Sequence, residues 1–196
     1  MSWFDKITGK TRFAVSRISI HLKGKEIVPL LGILNAAGRE AIASDGDLEV
    51  LGQELEKICQ SLLQYDIYWY AAANEGDVFW NEGEAGDYVN ELFTDSGSRY
   101  LSTANYDQSV DNNDLLSLVI TQNLVIMLTV AYEGEDKTIE TDLSNMSALR
   151  IALKSLINLH YQNRFRAIHV HFSPAQLGDD LTDDQVLTNF TELIPL

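Results

Sequence analysis

Cysteine is almost missing from this chain: Cys59 is the single one in 196 residues, which excludes an intrachain disulfide and a cysteine-rich zinc site. Proline is scarce too, with three residues, and no proline-rich linker, internal repeat or low-complexity tract divides the chain. No apolar run is long; Leu124 to Leu128 falls far short of the roughly 20 residues that a membrane helix needs. The N-terminus lacks the apolar core of a signal peptide, which makes the cytoplasm the expected compartment. No G-x-S-x-G elbow, phosphate-binding loop or dinucleotide fingerprint occurs, so no cofactor is expected and the case for an enzyme has no local signature.

Positive charge is the remaining scarcity, with 14 Lys and Arg against 29 Asp and Glu and a net charge of −15. The imbalance is uneven. Residues 1–40 hold seven basic and three acidic side chains, whereas the remainder holds seven basic and 26 acidic, a charge of −19. A body that acidic repels phosphate, which argues against nucleic acid as a partner. The basic end suits an anionic lipid surface or an acidic protein, or it folds back on the acidic body. Otherwise the composition is that of one globular domain, 45% hydrophobic and 22% charged, which excludes a disordered chain.

Period-two alternation of Ile18, Ile20 and Leu22 against Arg17, Ser19 and His21 predicts a half-buried strand over Arg12 to Leu22. A helix is expected from Ile27 to Ala43, starting near Pro29. The stripe Leu48, Leu51, Leu55, Ile58 and Leu62 predicts a second one, Leu48 to Leu63. Ile67 to Ala73 reads as an aromatic strand, with Asn74-Glu75-Gly76-Asp77 as a turn after it. Helices around Tyr88 to Leu101 and through Ile157 after an Asp142 to Ser144 cap, an interior strand at Leu124 to Tyr132 and a strand at Phe165 to Phe172 follow. Asn105 to Asp114 reads as a mobile loop. Thr182 and Gln185 form a capping box for a last helix to about Leu193. The sum is one α+β (mixed α/β) layer domain over residues 12–196, a sheet of about four strands covered by about five helices, preceded by a segment 1–11.

Few groupings invite chemistry. His169 and His171 are two apart on a strand and share a face, but a metal needs a third ligand, and whether His21 joins them depends on which strands are neighbours. No metal is expected. Asp179, Asp180, Asp183 and Asp184 lack the spacing of an EF-hand and are explained by helix capping and the dipole of the first turn. Cys59 stands on a helix with no histidine or glycine-rich turn beside it, the setting of a packing thiol. The run Tyr65, Tyr68, Trp69, Tyr70, Phe79 and Trp80 fits a core or a partner contact. Trp3, Phe4 and Ile7 lie at helical spacing among Lys6, Lys10 and Arg12, and these six residues form the candidate partner-binding segment.

The ordered pattern Ile168-His169-Val170-His171-Phe172, Ser173-Pro174, Leu181-Thr182, Asp184, Val186-Leu187, Phe190 and Leu193 resembles the closing segment of an uncharacterised domain family of cyanobacteria and plastids. Leu124 to Ala131, the helix from Met146 to Leu156 and the step from Leu62-Leu63 to Trp69 resemble its upstream parts. The likeness spans 12–22 and 48–196, and Phe172 and Thr191 depart from the Trp and Pro that the family favours. That family includes a plastid protein of fluctuating-light acclimation. The resemblance implies a photosynthesis-linked role without defined catalytic residues, with thylakoid association at most peripheral. The expected function is therefore a non-enzymatic soluble accessory protein that binds a protein partner in photosynthetic assembly, acclimation or light-harvesting regulation. The alternative is a small acidic escort chaperone for one client. Oligomeric state has no signature in the sequence.

Overall fold

The computed structural model describes residues 11–103, 122–175 and 179–196. The stretch expected as a mobile loop, Asn105 to Asp114, lies outside them. In chain order the elements are β1 (Phe13–Lys23), α1 (Val28–Ala43), α2 (Leu48–Gln64), β2 (Trp69–Phe79), α3 (Glu82–Thr103), β3 (Asn123–Glu133), α4 (Lys137–Glu140), α5 (Met146–Tyr161), β4 (Phe165–Ser173), α6 (Asp183–Asn189) and β5 (Ile194–Pro195). The expected α+β class is what the structure shows, with five strands and six helices among the described residues in place of about four and five.

One antiparallel sheet runs in the order β4-β3-β1-β2-β5, so β1 and β3 are interior and β4 closes one side. The strand missed by the sequence reading is β5, two residues that pair with Ala71 and Ala72 and carry no periodicity of their own. A second correction concerns Asn74 to Asp77. These residues are not a turn but the middle of β2, in register with Ile18, Arg17, Ser16 and Val15. Gly76 is there because β1 passes so close: a Cβ would stand 2.3 Å from the Val15 carbonyl oxygen. A glycine that reads as turn punctuation serves here as clearance for a neighbouring backbone.

Helices cover both faces. Under α1, α2 and α5 lies the main core, where Ile18, Ile20, Leu124, Ile126, Leu128 and Val130 meet Leu34, Leu55, Ile58 and Leu153. On the other face, α3 covers Val15 and Ala131 through Ala85, Val89 and Leu92, while Val186 of α6 and Phe190 just after it cover Val125 and Met127. Arg17, Ser19 and His21 point to that second face, so β1 is buried on both sides and not half-buried as its alternation suggests. The two helices packed most closely, α2 and α5, meet at Gly52, where a Cβ would fall 2.2 Å from His160 Nδ1.

Side chains close most of the helix starts. Asp47 accepts from the Glu49 and Val50 amides, and Thr182 with Gln185 makes the expected capping box. The cap of α5 is Asn145, accepting from Ser147 and Ala148, and not Asp142 to Ser144; Asp142 instead turns the preceding chain by accepting from Ser144. The last helix ends at Asn189 because Phe190 leaves helical conformation.

Candidate functional site

Two arrangements stand out, one polar and one apolar, and they meet at β4. Arg17 is the hub of the polar one. Its side chain, 2% exposed beneath α3, donates from Nε to Glu75 Oε1 at 2.9 Å and from Nη1 to Asp95 Oδ2 at 2.6 Å. Nη1 also donates to Ser96 Oγ at 2.9 Å and to the Leu92 carbonyl at 3.2 Å. Burial would raise the Asp95 carboxyl, but hydrogen bonds and charge from Arg17 and Arg99 outweigh it and hold the group below the usual carboxylate range. Arg99 continues the chain of charges to Glu192. The result is a fixed cation tied to carboxylates on β2 and α3, which orients α3 over the sheet.

Next to it on the same face, His169 and His171 flank the Phe93 ring of α3, each with its centroid 4.9 Å away. Burial lowers both imidazoles, His171 further through His169 and Arg17, so both are neutral at pH 7. His171 Nδ1 and Thr129 Oγ1 are buried without a hydrogen-bond partner among the described residues. His21 does not join the pair. It sits on β1, separated from β4 by β3, with Nε2 2.9 Å from Asn123 Oδ1. Asn123 Nδ2 donates to the Leu181 carbonyl and Asp183, so His21 supplies the proton of that contact and is lowered by burial. Among the described residues no group of three or more His, Cys, Asp or Glu is placed to hold a metal ion.

The apolar arrangement is a cavity of about 440 Å³ at the open side of β4. Leu34, Ala37 and Ala41 of α1 and Leu51, Leu55 and Ile58 of α2 form one wall. Ile168, Val170 and Phe172 contribute from the core face of β4, and His169 and Phe93 from the opposite face. Residues from both faces of a strand line one cavity only where it wraps round that strand's edge. β4 pairs with β3 alone among the described residues, so the backbone edge of β4 lies on the floor of this slot. The small side chains Ala37, Gly38 and Ala41 keep the α1 wall low, and Glu54, 8% exposed, adds a carboxylate held by Lys57 Nζ at 2.6 Å. At the mouth, Ile42 is 84% and Phe93 45% exposed.

The candidate segment named from sequence is placed only at its end. Trp3, Phe4, Lys6, Ile7 and Lys10 lie outside the described residues. Arg12 pairs with Glu135 and stacks 4.3 Å over the Trp80 ring. Of the aromatic run, Trp69 is buried in the core, while Tyr70 and Trp80 are about half exposed. Cys59 is fully buried and its thiol is pushed up by that burial, the state of a packing residue. Asp183 spends its carboxylate on Lys23 and Asn123. The slot itself has no signal in the sequence, because Leu34, Leu51, Leu55 and Ile58 read as ordinary core positions of amphipathic helices and Ile168, Val170 and Phe172 as the inner face of a strand.

The profile of a family described as a protein of unknown function (DUF1517) matches residues 12–196. No curated protein and no solved structure matches the chain. Among the described residues no helix is long and apolar enough to cross a membrane.

Proposed function

The chain belongs to the DUF1517 family, and on that premise we propose that it is a non-enzymatic accessory protein that acts by binding another polypeptide. The observation that carries this reading is the slot beside β4: an apolar cavity with, on its floor, a strand edge unpaired among the described residues, and with exposed Phe93 and Ile42 at its mouth. Exposed aromatic and aliphatic anchors beside a preformed cavity are the features of a polypeptide contact. The setting is the photosynthetic one that the resemblance to cyanobacterial and plastid proteins implies, in assembly, acclimation or light-harvesting regulation. Residues 1–12, with Trp3, Phe4, Lys6, Ile7, Lys10 and Arg12, supply a second, weaker contact to an acidic partner or anionic thylakoid surface.

A photo-crosslinking residue at Phe93, introduced in a photosynthetic host, tests the reading. One defined polypeptide of a photosynthetic complex is expected as the adduct, and Ala37→Trp, which fills the slot, is expected to abolish it. Adduct formation unaffected by the filled slot overturns the proposal. The acidic surface and the same slot also favour an escort chaperone. In that case the adduct is a single client that disappears from cells when the protein is deleted.

A further inference from the structure

The slot runs along the edge of β4 that no strand pairs with among the described residues, between the α1–α2 wall on the core face and Phe93 with His169 on the other. A segment lying there meets, along one side, backbone donors and acceptors that no described residue pairs, and an apolar wall on one face. An extended chain satisfies all three surfaces at once, because its side chains alternate between faces while its backbone pairs with the edge. A helix or a compact ligand leaves the strand edge unpaired.

Charge selects among extended segments. The carboxylate inside the slot is Glu54, buried to 8% exposure, while the ammonium of its partner Lys57 is held outside with a side chain 61% exposed. Asp45 and Asp47 are exposed on either side of Gly46 at one end of the slot, and Glu40 lies one position from Ala41 of its wall. Arg39, exposed and one position from Gly38, is the basic residue next to that wall in sequence and does not line the slot. The slot therefore combines apolar walls with net negative charge, in a body whose residues 41–196 carry −19. An acidic segment is repelled, and a basic one replaces Lys57 on Glu54.

Resting on the binding function proposed above, we infer that the occupant is an extended segment of a partner protein that adds to the sheet as a strand beside β4. It carries apolar side chains at alternate positions toward Leu34, Leu55 and Ile58, and a Lys or Arg that reaches Glu54. Ordering of the segment by backbone pairing gives affinity, while the apolar wall and the carboxylate give register and specificity.

The test uses the full-length protein and three synthetic peptides nine residues long, matching β4. All alternate Val and Leu with a polar position, which is Lys in the first and Glu in the second; the third is the Lys peptide N-methylated at alternate amides. The Lys peptide is expected to bind, to weaken as salt rises, and to slow amide exchange at Ile168 to Phe172. The Glu and N-methylated peptides are expected to bind at least about tenfold more weakly, the scale of one lost charge-assisted contact. Glu54→Gln is expected to erase the preference for Lys over Glu while the fold, read by circular dichroism, is retained. Ala37→Trp is expected to lose all peptides. Equal binding of Lys and Glu peptides, or binding without protection of β4, overturns the inference. Binding only after deletion of residues 2–10 shows that the chain's own N-terminal segment is the occupant. A dimer that protects β4 without peptide shows that a second copy is. A Phe93 adduct in cells with no peptide protecting β4 leaves the binding function standing and removes strand addition; absence of both removes both.

Discussion

The sheet presents two faces built by opposite means. Toward α1, α2 and α5 it offers Ile18, Ile20, Leu124, Ile126 and Leu128, all buried and free of polar atoms in their side chains. Toward α3 and α6 the same strands offer Arg17, Ser19, His21, Thr129, His169 and His171. The first face needs only shape and area, so many apolar residues would serve there. The second adds directed contacts to the apolar packing of Val15, Val125, Met127 and Ala131, and moving α3 by one residue would strip Arg17 of Asp95 and Ser96 together. Apolar burial thus provides the bulk of stability, while the polar face determines where the covering helix sits and so where Phe93 stands beside β4.

The largest expected effect belongs to the apolar face. Leu128→Ala, at a side chain with no exposure on an interior strand, is expected to cost about 2–5 kcal/mol by chemical denaturation. A loss of less than about half a kilocalorie, the scale of surface substitutions, would break the contrast. On the polar face, Arg17→Met keeps the bulk and removes the directed contacts. The carboxylates of Glu75 and Asp95 are 45% and 41% exposed and regain water, so about 1.5–3 kcal/mol is expected. A crosslink from Phe93 should weaken as well, since α3 loses its anchor.

The two faces also separate by pH. His21, His169 and His171 are held below the ordinary histidine value by burial, so the unfolded chain binds protons before the folded one does. Their contribution is fully present above about pH 6.5 and is lost as pH falls toward the folded values. Denaturation midpoints at pH 7.5 and 5.5 are expected to differ, and His169→Gln with His171→Gln is expected to shrink the difference. An unchanged slope would place the pH dependence elsewhere. At lower pH, protonation of Asp95, held down by Arg17 and Arg99, removes a further part of the same face. The smallest effect is at Thr129. Its buried hydroxyl has no partner among the described residues, so Thr129→Val is expected to be neutral or stabilising within about 1 kcal/mol. A clear destabilisation would show that the hydroxyl is satisfied in solution.

Much of this was legible in the chain. Alternation around Ile18 and the Leu48–Leu62 stripe located β1 and α2 because each pattern repeats within a few residues. The capping box at Thr182 is equally local. The β2 middle was misread because Asn74-Glu75-Gly76-Asp77 has turn composition, and the reason for Gly76 lies in Val15, about sixty positions away. The histidine face was predicted from spacing alone, but Phe93 between the two rings was not, since α3 and β4 are far apart in sequence.

Sequence by itself determined the class of the fold, most helix and strand positions, the charge asymmetry and the shared face of His169 and His171. All follow from residue type and from periods of two or 3.6, which act over a few neighbours. Tertiary structure alone decided that β4 is an edge among the described residues, that Arg17 is buried among carboxylates, and that α1, α2 and Phe93 leave a slot beside that edge. An edge is defined by which strand fails to arrive, and a cavity by surfaces from four separate elements; neither is encoded in any one segment of chain.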